Sequence, residues 1–171
     1  MKEIPLNHGA VAIVDDDDYE RLKGFTYNIN NCGYARRYDK ELSLRRNKVS
    51  CILMHRDIMG TPPPGLFVDH INRNRLDNRK CNLRFVTRKQ NNANRGKNKN
   101  KPSTSRYLGV SYDPKRKKWK AQISHYNKNK FIGRYDTEEQ AAVAYNVAAI
   151  HYHGKFANLN DITEEKTNEQ E

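Results

Sequence analysis

The residue types best suited to chemistry fall in one stretch, 68–92, which reads VDHINRNRLDNRKCNLRFVTRKQNN. Asp69 and His70 close a short apolar run, eleven mostly polar and basic residues follow, and Asn82 then opens a second strand-like run, NLRFV. Asn91 comes nine residues after Asn82. The order supplies a carboxylate, an imidazole and two carboxamides. Carboxylate and carboxamide oxygens are the hard donors that Mg²⁺ takes together with several waters. A histidine beside them has a pKa suited to accepting a proton from water. Such a set is equipped to hydrolyse a phosphodiester. An Asp-His pair alone is more often a turn or hydrogen-bonding feature, so the weight rests on Asn82 and Asn91 standing at workable spacings behind it.

These groups converge only if the chain folds around them in a particular way. The apolar patterning predicts a strand at 66–69, a long loop at 71–81, a strand at 82–86 and then a helix. Thr87 with Gln90 three residues later is a capping-box pattern, which starts that helix at Arg88. Asn91 then sits near the first turn, where a helix N-terminus favours anions. Packing the helix on the hairpin can bring Asp69 and Asn91 together although twenty-two residues separate them. Asn92 is open between a place in the metal shell and a DNA contact, because adjacent helix positions do not face one point equally well. His55 has no partner at ligand spacing, which favours packing or hydrogen bonding over metal binding.

Upstream, residues 2–60 alternate apolar runs at 10–14, 25–29, 34–38 and 49–54 with polar breaks, the pattern of strands spaced by turns. The run Asp15, Asp16, Asp17, Asp18 resembles a metal cluster only superficially. Consecutive carboxylates point in different directions, and the run lies where a turn or helix start is expected. MHRDIMG, 54–60, reads as a short helix stopped by Gly60, and Pro62, Pro63 and Pro64 then break the chain. Arg36, Arg37, Arg45, Arg46 and Lys48 make the region basic, as suits either phosphate contacts or a solvated surface.

The formal charge is +12, but the last eleven residues hold five acids and one lysine, so residues 1–160 carry +16. That surplus calls for an anionic partner, nucleic acid or acidic membrane. Apolar residues make up 36%, which allows only modest cores in 171 residues. No run approaches the ~18 apolar residues of a spanning helix, and MKEIPLNHG lacks the apolar core of a secretion signal. A soluble protein of a reducing compartment is expected. Cys32, Cys51 and Cys81 are odd in number and far apart, which argues against disulfides and paired zinc knuckles.

Between 93 and 105 hydrophobic residues almost vanish, while Arg95, Lys97, Lys99 and Lys101 alternate with small polar residues. This reads as a basic linker. Fully extended at ~3.3 Å per residue it would span at most about 43 Å, enough to lie along DNA as well as to tether. A second unit follows at 106–158. Strands are predicted at 108–112, 119–125 and 130–135, and a helix from Thr137, paired with Gln140, to a stop at Gly154. Ala141, Ala144, Tyr145 and Ala148 are its expected inward side. In the middle strand Trp119, Ala121 and Ile123 alternate with Lys120, Gln122 and Ser124. The second set leaves a polar, basic sheet face that a β-ribbon reader could press into a major groove. Lys115, Arg116, Lys118 and Arg134 are candidate phosphate contacts.

Two family resemblances rest on these residues. DHINRNRLDNRKCNLRFVTRKQNN resembles the HNH nuclease motif, in its H-N-N form, of phage and intron-encoded homing endonucleases. SRYLGVSYDPKRKKWKAQI with KFIGRYDTEEQAAVAYNVAAIHYHG and ANLN resembles the DNA-binding domain of plant ethylene-response factors. The first resemblance implies that Asp69 and Asn91 bind one Mg²⁺ or Mn²⁺, that His70 is the general base, and that Asn82 braces the loop holding His70. The second implies docking through the sheet, with Phe131 as the aromatic contact of the third strand. The plant domain carries guanine-reading arginines where Leu108, Ser111 and Asp113 stand here, so its base preference does not transfer.

The fold class expected is α+β: small amino-terminal strands with a ββα-metal nuclease unit, a basic extended linker, and a three-stranded antiparallel sheet packed on one helix. The expected boundaries are 1–92 (ββα-metal motif 66–94), 93–105, 106–160 and a disordered acidic tail at 161–171. The function implied is a site-specific, homing-type endonuclease acting on double-stranded DNA as a monomer, in the cytoplasm of a bacterium or phage-infected cell. The competing reading is a DNA-binding regulator that keeps a nuclease-like fold without cleaving.

Overall fold

The computed structural model describes residues 1–97, 102–126 and 128–162. Most of the acidic tail, the middle of the basic stretch with Lys99 and Lys101, and Asn127 lie outside the described residues. Contacts divide the chain into two compact units, Met1–Asn91 and Asn92–Glu171, each of mixed strand and helix.

The first unit begins with β1 (Lys2–Pro5) paired antiparallel to β2 (Val11–Val14). The four aspartates then start α1 (Asp16–Leu22), with Asp15 at the N-cap and Asp16, Asp17 and Asp18 in the first turn, where the helix dipole favours acids. A three-stranded antiparallel sheet follows in the order β3 (Tyr27–Ile29), β4 (Ala35–Tyr38), β5 (Cys51–Leu53). Between its last two strands lies α2 (Lys40–Arg46), capped by Asp39, whose side chain accepts from Leu42 N. β5 runs directly into α3 (Met54–Met59), which ends at Gly60 with φ 76°, a left-handed value glycine adopts without strain. Ile4, Leu6, Ala12, Val14, Leu22, Tyr27, Ala35 and Met54 form the core.

The long-loop hairpin is β6 (Leu66–His70) against β7 (Leu83–Thr87), with Asp69 opposite Arg84 and His70 opposite Leu83. The loop between them is not left to itself. Ile13 N donates to Leu76 O at 2.8 Å and Asn78 N to Ile13 O at 2.7 Å. Lys80 N donates to Asp15 Oδ2 at 2.7 Å. Strand β2 thus props the loop as a neighbouring strand would. Thr87 ends β7 and caps α4 (Arg88–Ala93): Thr87 N donates to Gln90 Oε1 at 2.8 Å and Gln90 N to Thr87 Oγ1 at 3.3 Å.

The second unit is a sheet in the order β10 (Lys128–Tyr135), β9 (Lys118–His125), β8 (Val110–Asp113), all antiparallel, with α5 (Glu138–His153) across one face. Thr137 and Gln140 close the capping box of α5. Its buried stripe is Ala141, Ala142, Tyr145 and Ala149, against an expectation that named Ala144 and Ala148, which are only half-buried. The stripe follows the 3.6-residue period, and alanines on both sides of it made the sequence ambiguous. Ala121 and Ile123 meet the helix at 0% and 2% exposure. Asn160 ties the unit shut, accepting from Leu108 N at 2.6 Å and giving its backbone N–H to Asn146 Oδ1 at 2.7 Å.

Candidate active site and nucleic-acid interface

Asp69 and His70 end β6 and are both buried, at 7% and 4% exposure. The cross-strand residue Arg84 binds Asp69 Oδ2 through Nε at 3.0 Å and Nη2 at 2.9 Å. His70 Nε2 lies 3.3 Å from Asn78 Oδ1. Asn78 gives its Nδ2 to Leu76 O at 3.2 Å, so it presents an acceptor oxygen to the imidazole. That contact requires the proton on Nε2 and makes Nδ1 the basic nitrogen of the neutral ring. Burial lowers the His70 pKa, while the Asn78 hydrogen bond and the Asp69 charge oppose the shift. Burial thus favours the neutral ring.

Asn82 is buried at the far end of the loop. Its Oδ1 accepts from Asn72 N at 2.9 Å, and its Nδ2 donates to Asn72 Oδ1 at 3.0 Å and Asp77 O at 2.7 Å. Its carbonyl accepts from Ile71 N, the residue after His70, at 2.9 Å. Asp77 in turn takes Arg79 Nε at 2.7 Å and Asn72 Nδ2 at 2.8 Å. One carboxamide thus stitches both ends of the loop beside the imidazole. The rings of His55 and Tyr34 also pack near the imidazole, with centroids 5.2 Å and 5.9 Å from that of His70.

Asn91 is half-buried at the fourth position of α4, and Asn92 is exposed. The donor chemistry suits a hard cation. Asp69 and Asn91 offer a carboxylate and a carboxamide oxygen, and no group of three or more His, Cys, Asp or Glu stands together among the described residues. A divalent cation held by these groups would take its remaining oxygens from water and phosphate and would have to share Asp69 with Arg84.

On the second unit, register places Ser111 beside Lys120, Lys120 beside Arg134, and Gln122 beside Phe131. Phe131 is 56% exposed, with the Arg134 guanidinium 4.8 Å over its ring. Arg134 Nε also reaches Asp113 Oδ2 at 3.3 Å, and Arg116 reaches the same carboxylate at 3.6 Å. Lys118 pairs with Asp136, and Lys115 is exposed. The described ends of the basic stretch are fastened to this unit. Arg95 O accepts from Asn158 Nδ2 at 3.2 Å, and Lys97 Nζ donates to Ser105 O. Arg95 itself is exposed.

Sequence reasoning missed Asn78 and Arg84 and left His55 and Tyr34 outside the site. Arg84 had a signal, since pairing the predicted strands sets it opposite Asp69. Asn78 is one polar residue among many in an aperiodic loop and had none.

The first unit thus ends in a strand-loop-strand-helix arrangement that sets a buried imidazole next to a buried carboxylate. A family model described as HNH endonuclease matches residues 54–93. Over 155 residues the chain is 33% identical to an uncharacterised HNH endonuclease of Acanthamoeba polyphaga mimivirus, covering 90% of this chain and 76% of that one. The chain belongs to the HNH endonuclease family. Its C-terminal region is similar to plant proteins. It is 41% identical over 61 residues to an AP2-like ethylene-responsive transcription factor of Arabidopsis thaliana and, over the same length, to one of Oryza sativa subsp. japonica. Those matches take in 34% of this chain but only 16% and 9% of the two factors. No solved structure matches the chain. Among the described residues no helix is long and apolar enough to cross a membrane.

Proposed function

We propose that this protein is a site-specific DNA endonuclease of the homing type, cutting double-stranded DNA with the first unit and choosing the site with the second. The observation that carries the reading is His70, buried and oriented by the Nε2 contact to Asn78 Oδ1 so that Nδ1 serves as the proton acceptor. In this role Nδ1 takes the proton of the attacking water. A positioned base of this kind contributes about 10²–10⁴-fold. Asn82 holds the loop in register so that His70 keeps its orientation. Asp69 and Asn91 would hold one Mg²⁺ or Mn²⁺, which when bound stabilises charge on the scissile phosphate and the leaving oxygen. Arg84 holds the Asp69 carboxylate in place through two contacts to Oδ2.

The second unit and the basic stretch supply the hold on DNA. Lys120, Gln122 and Phe131 share the sheet face away from α5, Arg134 crosses it, and Lys115, Arg116 and Lys118 rim it. Arg95 and Lys97 add basic groups to the same unit, and Lys99 and Lys101 continue the basic stretch in sequence. The domain boundaries at 93, 106 and 161, a monomeric state, and action in the cytoplasm of a bacterial or virus-infected cell belong to the same proposal.

Purified protein with Mg²⁺ or Mn²⁺ should nick duplex DNA, and His70→Ala should abolish nicking while leaving binding intact. Undiminished cleavage by that variant would remove His70 as the base. Binding without cleavage by the wild-type chain would instead favour a regulator that keeps the nuclease fold. If about eight phosphates are contacted, log K should fall with log[salt] at a slope near about −7, and a flat dependence would count against the basic stretch. Mapping the ends on both strands of a digested duplex library identifies the site.

A further inference from the structure

Two rings from the amino-terminal elements stand against the His70 imidazole, and none of the steps above uses them. His55, from α3, is 5% exposed, and its ring meets that of His70 at 90° with centroids 5.2 Å apart. Tyr34, from the turn before β4, lies 5.1 Å from His55 and 5.9 Å from His70. Each ring is itself fixed. Two residues beyond His55, Asp57 takes Arg37 Nε at 2.6 Å and Tyr27 OH at 3.1 Å, which pins α3 to β3 and β4. Tyr34 N donates to Asn30 Oδ1 at 3.0 Å, and the Arg75 guanidinium lies 4.8 Å over the tyrosine ring.

The imidazole needs such support. Rotation about its second side-chain torsion is broad, and the Asn78 contact, at 3.3 Å, is a long hydrogen bond. A ring free to swing about that torsion would carry Nδ1 away from the water it must deprotonate. The two rings, themselves 5.1 Å apart, pack together against one flank of the imidazole and, with the Asn78 contact, limit that swing by shape.

We propose that His55 and Tyr34 are positioning residues for the His70 base, buttressing its imidazole from one flank so that the segment before the hairpin is an integral part of the nuclease site. The proposal rests on the reading of His70 as the base, and its shape requirement can be measured without cleavage. His55 acts through its flat ring rather than through its nitrogens.

The full-length protein is compared with His55→Leu, which fills the space without a ring, His55→Phe, which keeps the ring, and Tyr34→Leu. Three quantities are read: single-turnover nicking of supercoiled plasmid with Mg²⁺, affinity for a duplex, and the imidazole ¹⁵N signals of His70, assigned by their loss in His70→Ala. His55→Leu should slow nicking about 10–100-fold, the cost of a misplaced reacting group, with duplex affinity within about twofold. Its His70 ring signals should shift or broaden, and His55→Phe should recover most of the rate and the wild-type signals. Unchanged His70 signals in a folded His55→Leu protein would overturn the proposal, as would a His55→Phe protein impaired as deeply as His55→Leu. Should His55→Leu lose its folded amide spectrum, Tyr34→Leu decides by the same ring signals. A wild-type protein that never nicks DNA would sink the endonuclease reading instead, while the ring signals still judge the buttress.

Discussion

Lowering the pH from 7 to 5 should weaken the first unit through His55 in a way that one substitution removes. Burial holds the His55 pKa down from 6.5 to about 3, with the neighbouring His70 and then Arg56 pushing the same way. The unfolded chain accepts the proton near 6.5 and the folded chain not until about 3. The folded state therefore keeps this stability above pH 6.5, and loses it progressively as pH falls through the window from 6.5 to 3. At pH 5, roughly 1.5 units below the unfolded value, the loss is about 2 kcal/mol at ~1.36 kcal/mol per unit. His55→Phe deletes the proton site and keeps a ring in the space. Urea titrations of both proteins at pH 7, 6 and 5 should show wild type losing about 2 kcal/mol more than the variant. Asp18 and Asp77 have pKa values lowered from 3.8 and stay ionised across this range. His70, also lowered by burial, contributes in both proteins. The probe must belong to the first unit. Trp119, the one tryptophan, sits in the second, so amide signals from β6 and β7 are the proper readout. Parallel pH dependences for the two proteins would refute a buried, neutral His55.

Other substitutions separate the roles of neighbouring groups. Arg84→Met leaves the Asp69 carboxylate buried without its guanidinium and should cost the first unit about 3 kcal/mol, read by urea unfolding at pH 7. Asn82→Ala removes three side-chain hydrogen bonds across the loop. It should cost about 2–3 kcal/mol and accelerate amide exchange in the loop before affecting β6. Gly109 has φ +75°, and a Cβ there would meet the Tyr145 ring at 2.2 Å and Gln122 O at 2.6 Å. Gly109→Ala should therefore destabilise the second unit by about 2–4 kcal/mol, visible as an earlier Trp119 fluorescence transition, with the first unit unaffected.

Local chemistry made much of this fold legible. Both capping boxes, Thr87 with Gln90 and Thr137 with Gln140, stand where a short sequence signal placed them, because their partners are three residues apart. Gly60 stops α3 for the same kind of reason. The alternation in β9 correctly assigned Ala121 and Ile123 to the helix side. What escaped was non-local or lacked a period. β1, only four residues long, is a strand because Lys2 through Pro5 pair with Val14 through Val11, and α2 is a seven-residue helix capped by Asp39 inside a strand-rich segment. The hydrogen bond from His70 to Asn78 depends on how the loop is tied to Ile13, sixty-five positions before Asn78 in the chain. No window of neighbouring residues contains that information.

That tie has a consequence for the order in which the protein can be built. Ile13 and Asp15, the backbone and side-chain anchors of the loop, precede it in the chain, as do the elements carrying Tyr34 and His55. A ribosome delivers residues from the amino end, and units tend to fold as they emerge. The scaffold is thus waiting when the loop appears, and the first unit can close before any strand of the second has been synthesised. A newly made chain would acquire its imidazole buttress before it acquires the sheet of the second unit.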